Sequence, residues 1–183
     1  IVLGNWADDA LLANERYDTV LADYLLGAIE GFAPYFQHRL FARLRRITGR
    51  RLYVVGVDPY VGIETGSEDG RLIGKIGRFR DACLLHAGER PYREYPMQWV
   101  ADHLEASGFR AIAARRFPIR YRARFVNSQI DMCKPRLASL ADRALADALA
   151  ARGERIRAAA LDAVARGDGI AHGHDYVIVG EPC

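Results

Sequence analysis

Arg51-Leu52-Tyr53-Val54-Val55-Gly56-Val57 is the stretch on which the fold turns. Seven residues long, nearly all apolar and rich in valine, it predicts a strand covered on both faces, as in a parallel sheet. Ahead of it, Phe36, Leu40, Phe41 and Leu44 recur at three-to-four spacing between Pro34 and Gly49, which predicts a helix. Further upstream, Tyr17-Asp18-Thr19-Val20-Leu21-Ala22 reads as a second strand stopped by Asp23. Residues 8–16 carry a weak helical pattern through Leu11 and Leu12. Ile1-Val2-Leu3, ended by the Gly4-Asn5 turn signal, predicts a further buried strand.

Downstream, residues 58–70 read as a loop with one proline and three glycines. A helix over 72–86 turns Ile73, Ile76, Phe79 and Cys83 inward. Pro96 opens another, with Met97, Trp99, Val100 and Leu104, and Gly108 closes it. A strand over 109–117 follows, with a continuation past Pro118 toward Phe125. Two alanine- and leucine-rich helices are expected at about 135–151 and 154–166. Asp175-Tyr176-Val177-Ile178-Val179 closes the chain as a buried strand. This alternation predicts an α/β fold with a doubly wound sheet. Ligands of such sheets sit outside the carboxyl ends of the strands, so Asn5-Trp6, Asp23-Tyr24 and Asp58-Pro59-Tyr60 are the positions to watch.

The bulk numbers narrow the classes. The 183 residues are 50% hydrophobic and 27% charged, which suits one domain with a real core and argues against a disordered chain. No apolar run approaches the roughly 18 residues that a membrane span needs. The net charge of +3 calls for neither nucleic acid nor lipid. Cys83, Cys133 and Cys183 are odd in number and contain no C-x-x-C pair, so they read as reduced thiols of a cytoplasmic protein without structural zinc. The chain opens on Ile1 with no secretory signal, and we expect it to begin inside a domain.

Gly4-Asn5-Trp6-Ala7-Asp8, followed by Tyr17-Asp18-Thr19-Val20-Leu21-Ala22-Asp23-Tyr24-Leu25-Leu26, resembles the middle motifs of class I S-adenosylmethionine-dependent methyltransferases. The closing His174-Asp175-Tyr176-Val177-Ile178-Val179-Gly180-Glu181-Pro182 is similar to that family's last strand. The resemblance implies a partial Rossmann-like methyltransferase sheet, mostly parallel with an antiparallel last strand, and S-adenosylmethionine as cofactor. It also implies roles: Gly4, Asn5 and Trp6 in the loop that holds adenine, with Asn5 on the ring's edge and Trp6 on its face. Ala22, Asp23 and Tyr24 would stand at the strand end beside the reactive methyl group. The family's G-x-G-x-G turn and its ribose-binding acid are absent from this sequence, which implies a single domain over 1–183 that is incomplete at its amino end. Residues 127–171 fall where the family has a hairpin and read as a helical insertion.

Methyl transfer from a sulfonium asks the protein mainly to align nucleophile and methyl, and sometimes to take a proton. Asp23 is the carboxylate placed to anchor an acceptor or act as base, with Tyr24 beside it; its alternative use is as a helix N-cap. Trp6, Tyr24 or Phe32 could face the sulfonium charge. A dense polar and aromatic stretch offers His86, Tyr92, Arg93 and Tyr95 as acceptor contacts, although His86 also reads simply as a helix end. His172 and His174 flank Gly173; with adjacent residues pointing apart on a strand, a loop fits them better than a metal site.

Arg110, Arg115, Arg116, Arg120, Arg122 and Arg124 form the strongest basic run. If residues 119–125 are extended, Arg120, Arg122 and Arg124 share one face. A solvated strand face is one meaning; the other is a non-catalytic module that binds RNA or a protein. The main expectation is a methyltransferase acting on a small molecule or a protein. The alanine-rich helices would cover its pocket or make a homodimer contact.

Overall fold

A computed structural model describes residues 1–63 and 66–183, so the part of the predicted 58–70 loop at 64–65 lies outside the described residues. The chain divides into two compact units. The first comprises Ile1–Pro59, Tyr92–Phe117 and His174–Cys183, and the second 60–91 and 118–173.

The first unit is built on a sheet of order β1-β2-β4-β3. Its strands are β1 (Tyr17–Asp23), β2 (Thr48–Val57), β3 (Phe109–Tyr121) and β4 (Ile170–Pro182). β1 and β2 are parallel, with Val20 opposite Leu52 and Asp23 opposite Val55. β4 runs antiparallel to β2, with Gly56 opposite Tyr176 and Val57 opposite Asp175. β1 therefore forms one edge. A short helix α1 (Leu25–Ala28) and a 3₁₀ turn (Ile29–Gly31) lead to α2 (Gln37–Ile47), the crossover between the parallel strands. α4 (Met97–Ala106) precedes β3.

Phe36, Leu40, Phe41 and Leu44 are buried as their spacing predicted. They join Val100 and Leu104 of α4 against Leu52 and Val54 of β2, Phe109 of β3, and Tyr176 and Ile178 of β4. The other face of β2 differs from expectation: Tyr53 and Val55 are only half-buried, so the strand is apolar on both sides but fully covered on one. Gly49 lies inside β2 rather than stopping the helix before it. The predicted first strand is also absent, because Ile1, Val2 and Leu3 are exposed and unpaired by any ladder. Residues 8–16 make successive turns instead of a helix, with Leu11 N bonded to Asp8 O and Glu15 N to Leu12 O. Two i−3 bonds of this kind close turns without propagating an α-helix.

The second unit holds α3 (Glu68–His86), α5 (Ala123–Asp131), α6 (Lys134–Ala138) and α7 (Arg143–Arg166). Ile73, Ile76, Phe79 and Cys83 turn inward on α3, as their spacing required. Side-chain caps fix two helix starts: Ser67 accepts from Gly70 N, and Asp142 from Leu145 N, both at 3.0 Å. The two long helices expected after Pro135 are instead the short α6 and the single α7, which runs unbroken through Gly153. A Cβ at Gly153 would meet Phe79 Cζ at 2.7 Å, so this glycine marks a close contact and not a break.

β3 ends at Tyr121 and α5 begins at Ala123, so residues 119–125 are not one extended segment. The arginine strip is dissolved accordingly. Arg110 reaches Glu181 at 3.5 Å, Arg116 pairs with Asp58 at 2.7 Å and Arg122 with Asp168 at 2.8 Å. Arg115 lies over the Phe117 ring, and Arg124 sits on a helix. β3 nonetheless carries Arg110, Arg115, Arg116 and Arg120, and what is lost is the face that Arg120, Arg122 and Arg124 were to share.

Candidate active site

Within the first unit, parallel pairing puts the carboxyl ends of β1 and β2 side by side, and the reversed β4 brings its Asp175 to the same end of the sheet. Asp23 is the last residue of β1 and is exposed, while Ala22 behind it is buried in the core. Tyr24 turns the chain into α1 with φ 47° and ψ 21°, a left-handed conformation that disfavours a bulky side chain. Tyr24 is thus the residue at the cap of α1, and no side chain caps that helix; the N-cap use considered for Asp23 is not what the structure contains.

The Tyr24 hydroxyl donates to Asp175. Burial first, then that bond and the negative charges of Asp175, Asp23 and Glu94, push its phenol well above the ordinary tyrosine range. Behind it, Tyr176 is buried and its hydroxyl donates to Tyr95 O at 2.9 Å. Gly56 makes room for that ring, since a Cβ there would collide with the Tyr176 hydroxyl. Burial, with Glu94 and Asp58 nearby, pushes the Tyr176 phenol up as well.

Asp58, just past β2, is the best-held carboxylate. It accepts from Arg116 Nε at 2.7 Å and from Met97 N at 3.1 Å, and its own amide donates to His174 O. Burial raises its pKa, but the Arg116 and Met97 bonds and the Arg116 charge outweigh that and hold it below the usual carboxylate range. The Glu94 carboxylate lies against Gly27, where a Cβ would sit 2.7 Å from either oxygen. Tyr95 stacks on Trp99 with ring centroids 4.1 Å apart. Burial raises its phenol too, with Arg93 opposing and Glu30 adding to the shift.

Of the residues singled out in the sequence, Asp23, Tyr24 and Ala22 stand together at the strand end, joined there by Asp58 and Asp175. Tyr92 and Arg93 are exposed on the segment that leads to Tyr95, with Arg93 N bonded to Gly27 O at 3.4 Å. His86 is the exposed last residue of α3 in the second unit. Gly4, Asn5 and Trp6 form a turn of the first unit. Asn5 donates to Phe32 O and accepts from Ala7 N, both at 2.9 Å, and Trp6 packs partly buried against the core. An adenine edge at Asn5 would compete with both bonds. Among the described residues, no group of three or more His, Cys, Asp or Glu could hold a metal ion, and no helix is long and apolar enough to cross a membrane.

Arg116, Asp175, Tyr176 and Gly56 are the site residues that reading the sequence did not assign to this site. Gly56 carried a signal, a lone glycine inside an apolar strand. Arg116 was hidden within the arginine run, and Asp175 within the histidine-flanked turn.

No protein-family model matches the chain, and no curated protein does. Solved structures do. A cyclopropane-fatty-acyl-phospholipid synthase-like protein from Lactobacillus casei superposes with a TM-score of 0.55 at 11% identity, covering 98% of this chain and 61% of its own. Mycolic acid cyclopropane synthase CmaA1, complexed with S-adenosylhomocysteine, gives 0.48 at 14% identity, with 98% and 59% covered. A candidate methyltransferase from Bacillus halodurans gives 0.47 at 12% identity, with 92% and 66% covered. The chain thus spans about six-tenths of the length of these structures. The likeness is one of fold: β1, β2, β4 and β3 correspond to part of the Lactobacillus casei structure.

Proposed function

We propose that this chain takes part in methyl transfer from S-adenosylmethionine to an acceptor that enters beside Asp23 and Tyr24. The observation that carries the reading is the strand end itself. A parallel β1–β2 pair presents Asp23-Tyr24 and Asp58 at one end of the sheet, and the antiparallel β4 adds Asp175 there. The donor set suits a positively charged sulfonium: exposed Asp23 and the half-buried Glu94 and Asp175 lie around the Tyr24 ring, and Asp58 is already neutralised by Arg116. When bound, the cofactor supplies an electrophilic methyl group, so the chain's own work is positioning. Tyr24, held by Asp175, fixes the ring wall. Asp23 is free to anchor the acceptor or to accept its proton. Tyr92, Arg93 and Tyr95 line the approach.

In this proposal 1–183 is one incomplete methyltransferase domain with 127–171 as a helical insertion. The acceptor is a small molecule or a protein, and the protein is cytoplasmic. Because the sequence contains no G-x-G-x-G turn or ribose-binding acid, the 183-residue chain alone is expected to bind S-adenosylhomocysteine weakly. Calorimetric titration of S-adenosylhomocysteine into this chain, and into one extended by the sequence encoded upstream, tests the idea. Binding to the extended chain supports it; heat from neither overturns it.

A further inference from the structure

The second unit carries 15 basic against 11 acidic residues, and several of its cations sit in ion pairs. Arg80 is held by Asp81, Lys134 by Asp131, Arg136 by Glu89 and Arg157 by Asp131 and Glu154. Six others gather on two helices. Arg71, Lys75 and Arg78 stand on the outer face of α3, and Arg152, Arg155 and Arg166 on α7, all exposed and none in an ion pair among the described residues. Between α3 and α7 all of these but Arg78 line two adjoining depressions of about 320 and 220 Å³, which share Leu72, Lys75 and Ala159 and so form one groove. Its floor is apolar, made of Leu72, Ile156 and Ala159. Glu68 and Asp162 line one end; the end beside Arg152 and Arg155 holds no acid among the described residues.

Leaving so many cations unpaired along one concavity is unfavourable for the isolated fold, since like charges repel where no counter-charge intervenes. From this charge pattern we infer that the α3–α7 groove docks an acidic amphipathic helical segment of a partner protein. The fit is geometric as well as electrostatic. Arg71 and Lys75 stand at i and i+4, which rises about 6 Å along the helix, the spacing of acids on one face of a helical ligand. Apolar residues of that ligand would settle on Leu72, Ile156 and Ala159. The acid-free end fixes direction, because the most acidic turn of the ligand belongs beside Arg152 and Arg155. Among the described residues the groove has no aromatic lining on which unpaired bases could stack, which disfavours a single-stranded nucleic acid. Its concavity keeps a flat lipid surface from the floor.

The test uses the intact chain and a fluorescein-labelled 14-residue peptide with glutamate and leucine at helical spacing. Anisotropy should show saturable binding that weakens steeply with salt. The double variant Lys75→Glu with Arg155→Glu should weaken it at least tenfold, and Arg120→Glu with Arg124→Glu should leave it unchanged, with far-UV circular dichroism confirming that both variants fold. The same peptide with lysine in place of glutamate should not bind. Three outcomes overturn the assignment: no binding of the acidic peptide, binding that survives the Lys75 and Arg155 reversals, or equal binding of a single-stranded RNA of matched charge or of phosphatidylglycerol vesicles.

Discussion

At Tyr24 a single backbone angle links strain to placement. Its φ of 47° costs about 1 kcal/mol relative to an ordinary helical or extended conformation, and the return is a hydroxyl aimed at Asp175 from the end of β1. Tyr24→Gly should therefore hold or raise stability by up to about 1 kcal/mol in urea titration, while abolishing the proposed methyl transfer. Loss of both stability and activity would mean that the ring is chiefly a packing element. Gly56 is the opposite case. Alanine there collides with Tyr176, whose ring is buried and tied to Tyr95 O, and overpacking of this kind costs about 1–3 kcal/mol. Gly56→Ala should lower the melting temperature measurably and increase near-ultraviolet signal change from the displaced tyrosine. The two residues also show what local sequence could reveal. A glycine in a valine-rich strand announces a close approach, whereas nothing in Asp23-Tyr24-Leu25 announces a left-handed tyrosine, because tertiary contacts impose that angle.

The elements were legible wherever periodicity alone decides them. Residues of α2, α3 and α4 show their buried faces in the three-to-four spacing of Phe36, Leu40, Ile73, Ile76, Val100 and Leu104. Reading failed where one residue has two meanings. Gly153 looks like a helix stop but sits inside α7 because Phe79 of α3 occupies the space of its missing side chain. Asp142, whose side chain caps α7, was the better boundary signal. Alternating arginines suggested a strand to residue 125, yet α5 starts at Ala123, since Val126 and Ile130 need a helical face to reach the core. Gly153→Ala weighs these effects against each other. Helix propensity favours alanine by about 1 kcal/mol, but the clash with Phe79 should dominate and leave the variant about 1–2 kcal/mol less stable. Adding Phe79→Leu should recover part of that loss, a non-additivity that a double-mutant cycle of thermal melts would expose.

Across the whole molecule, the site was legible only in part because it is assembled from distant sequence. Asp23 and Asp58 come from strand ends that the pattern locates, but Glu94, Arg116 and Asp175 arrive from segments far along the chain, and only the antiparallel return of β4 brings Asp175 beside β2. Asp58 also ties the site to the stability of the fold. Its carboxyl is held below the ordinary range when folded, so its contribution is complete above the unfolded carboxylate pKa and disappears as pH falls through the folded value. Unfolding free energy should therefore fall from pH 5 toward pH 2. In Arg116→Met that acid slope should be shallower, by less than about 1 kcal/mol for a pair this accessible to solvent. Equal slopes in both proteins would show that the Asp58–Arg116 pair contributes nothing to acid lability.

β1 closes one side of the sheet with nothing beyond it among the described residues, and Tyr17 and Leu21 are exposed along it. Alternate amides and carbonyls of Tyr17–Asp23 consequently point outward as a ready hydrogen-bonding template. At high concentration two copies would zip together there and thicken into thioflavin-positive aggregates. A short extended peptide that laid itself along the same row would act as a molecular bandage, keeping the chain monomeric while leaving Asp23, at the tip of the strand, open to solvent.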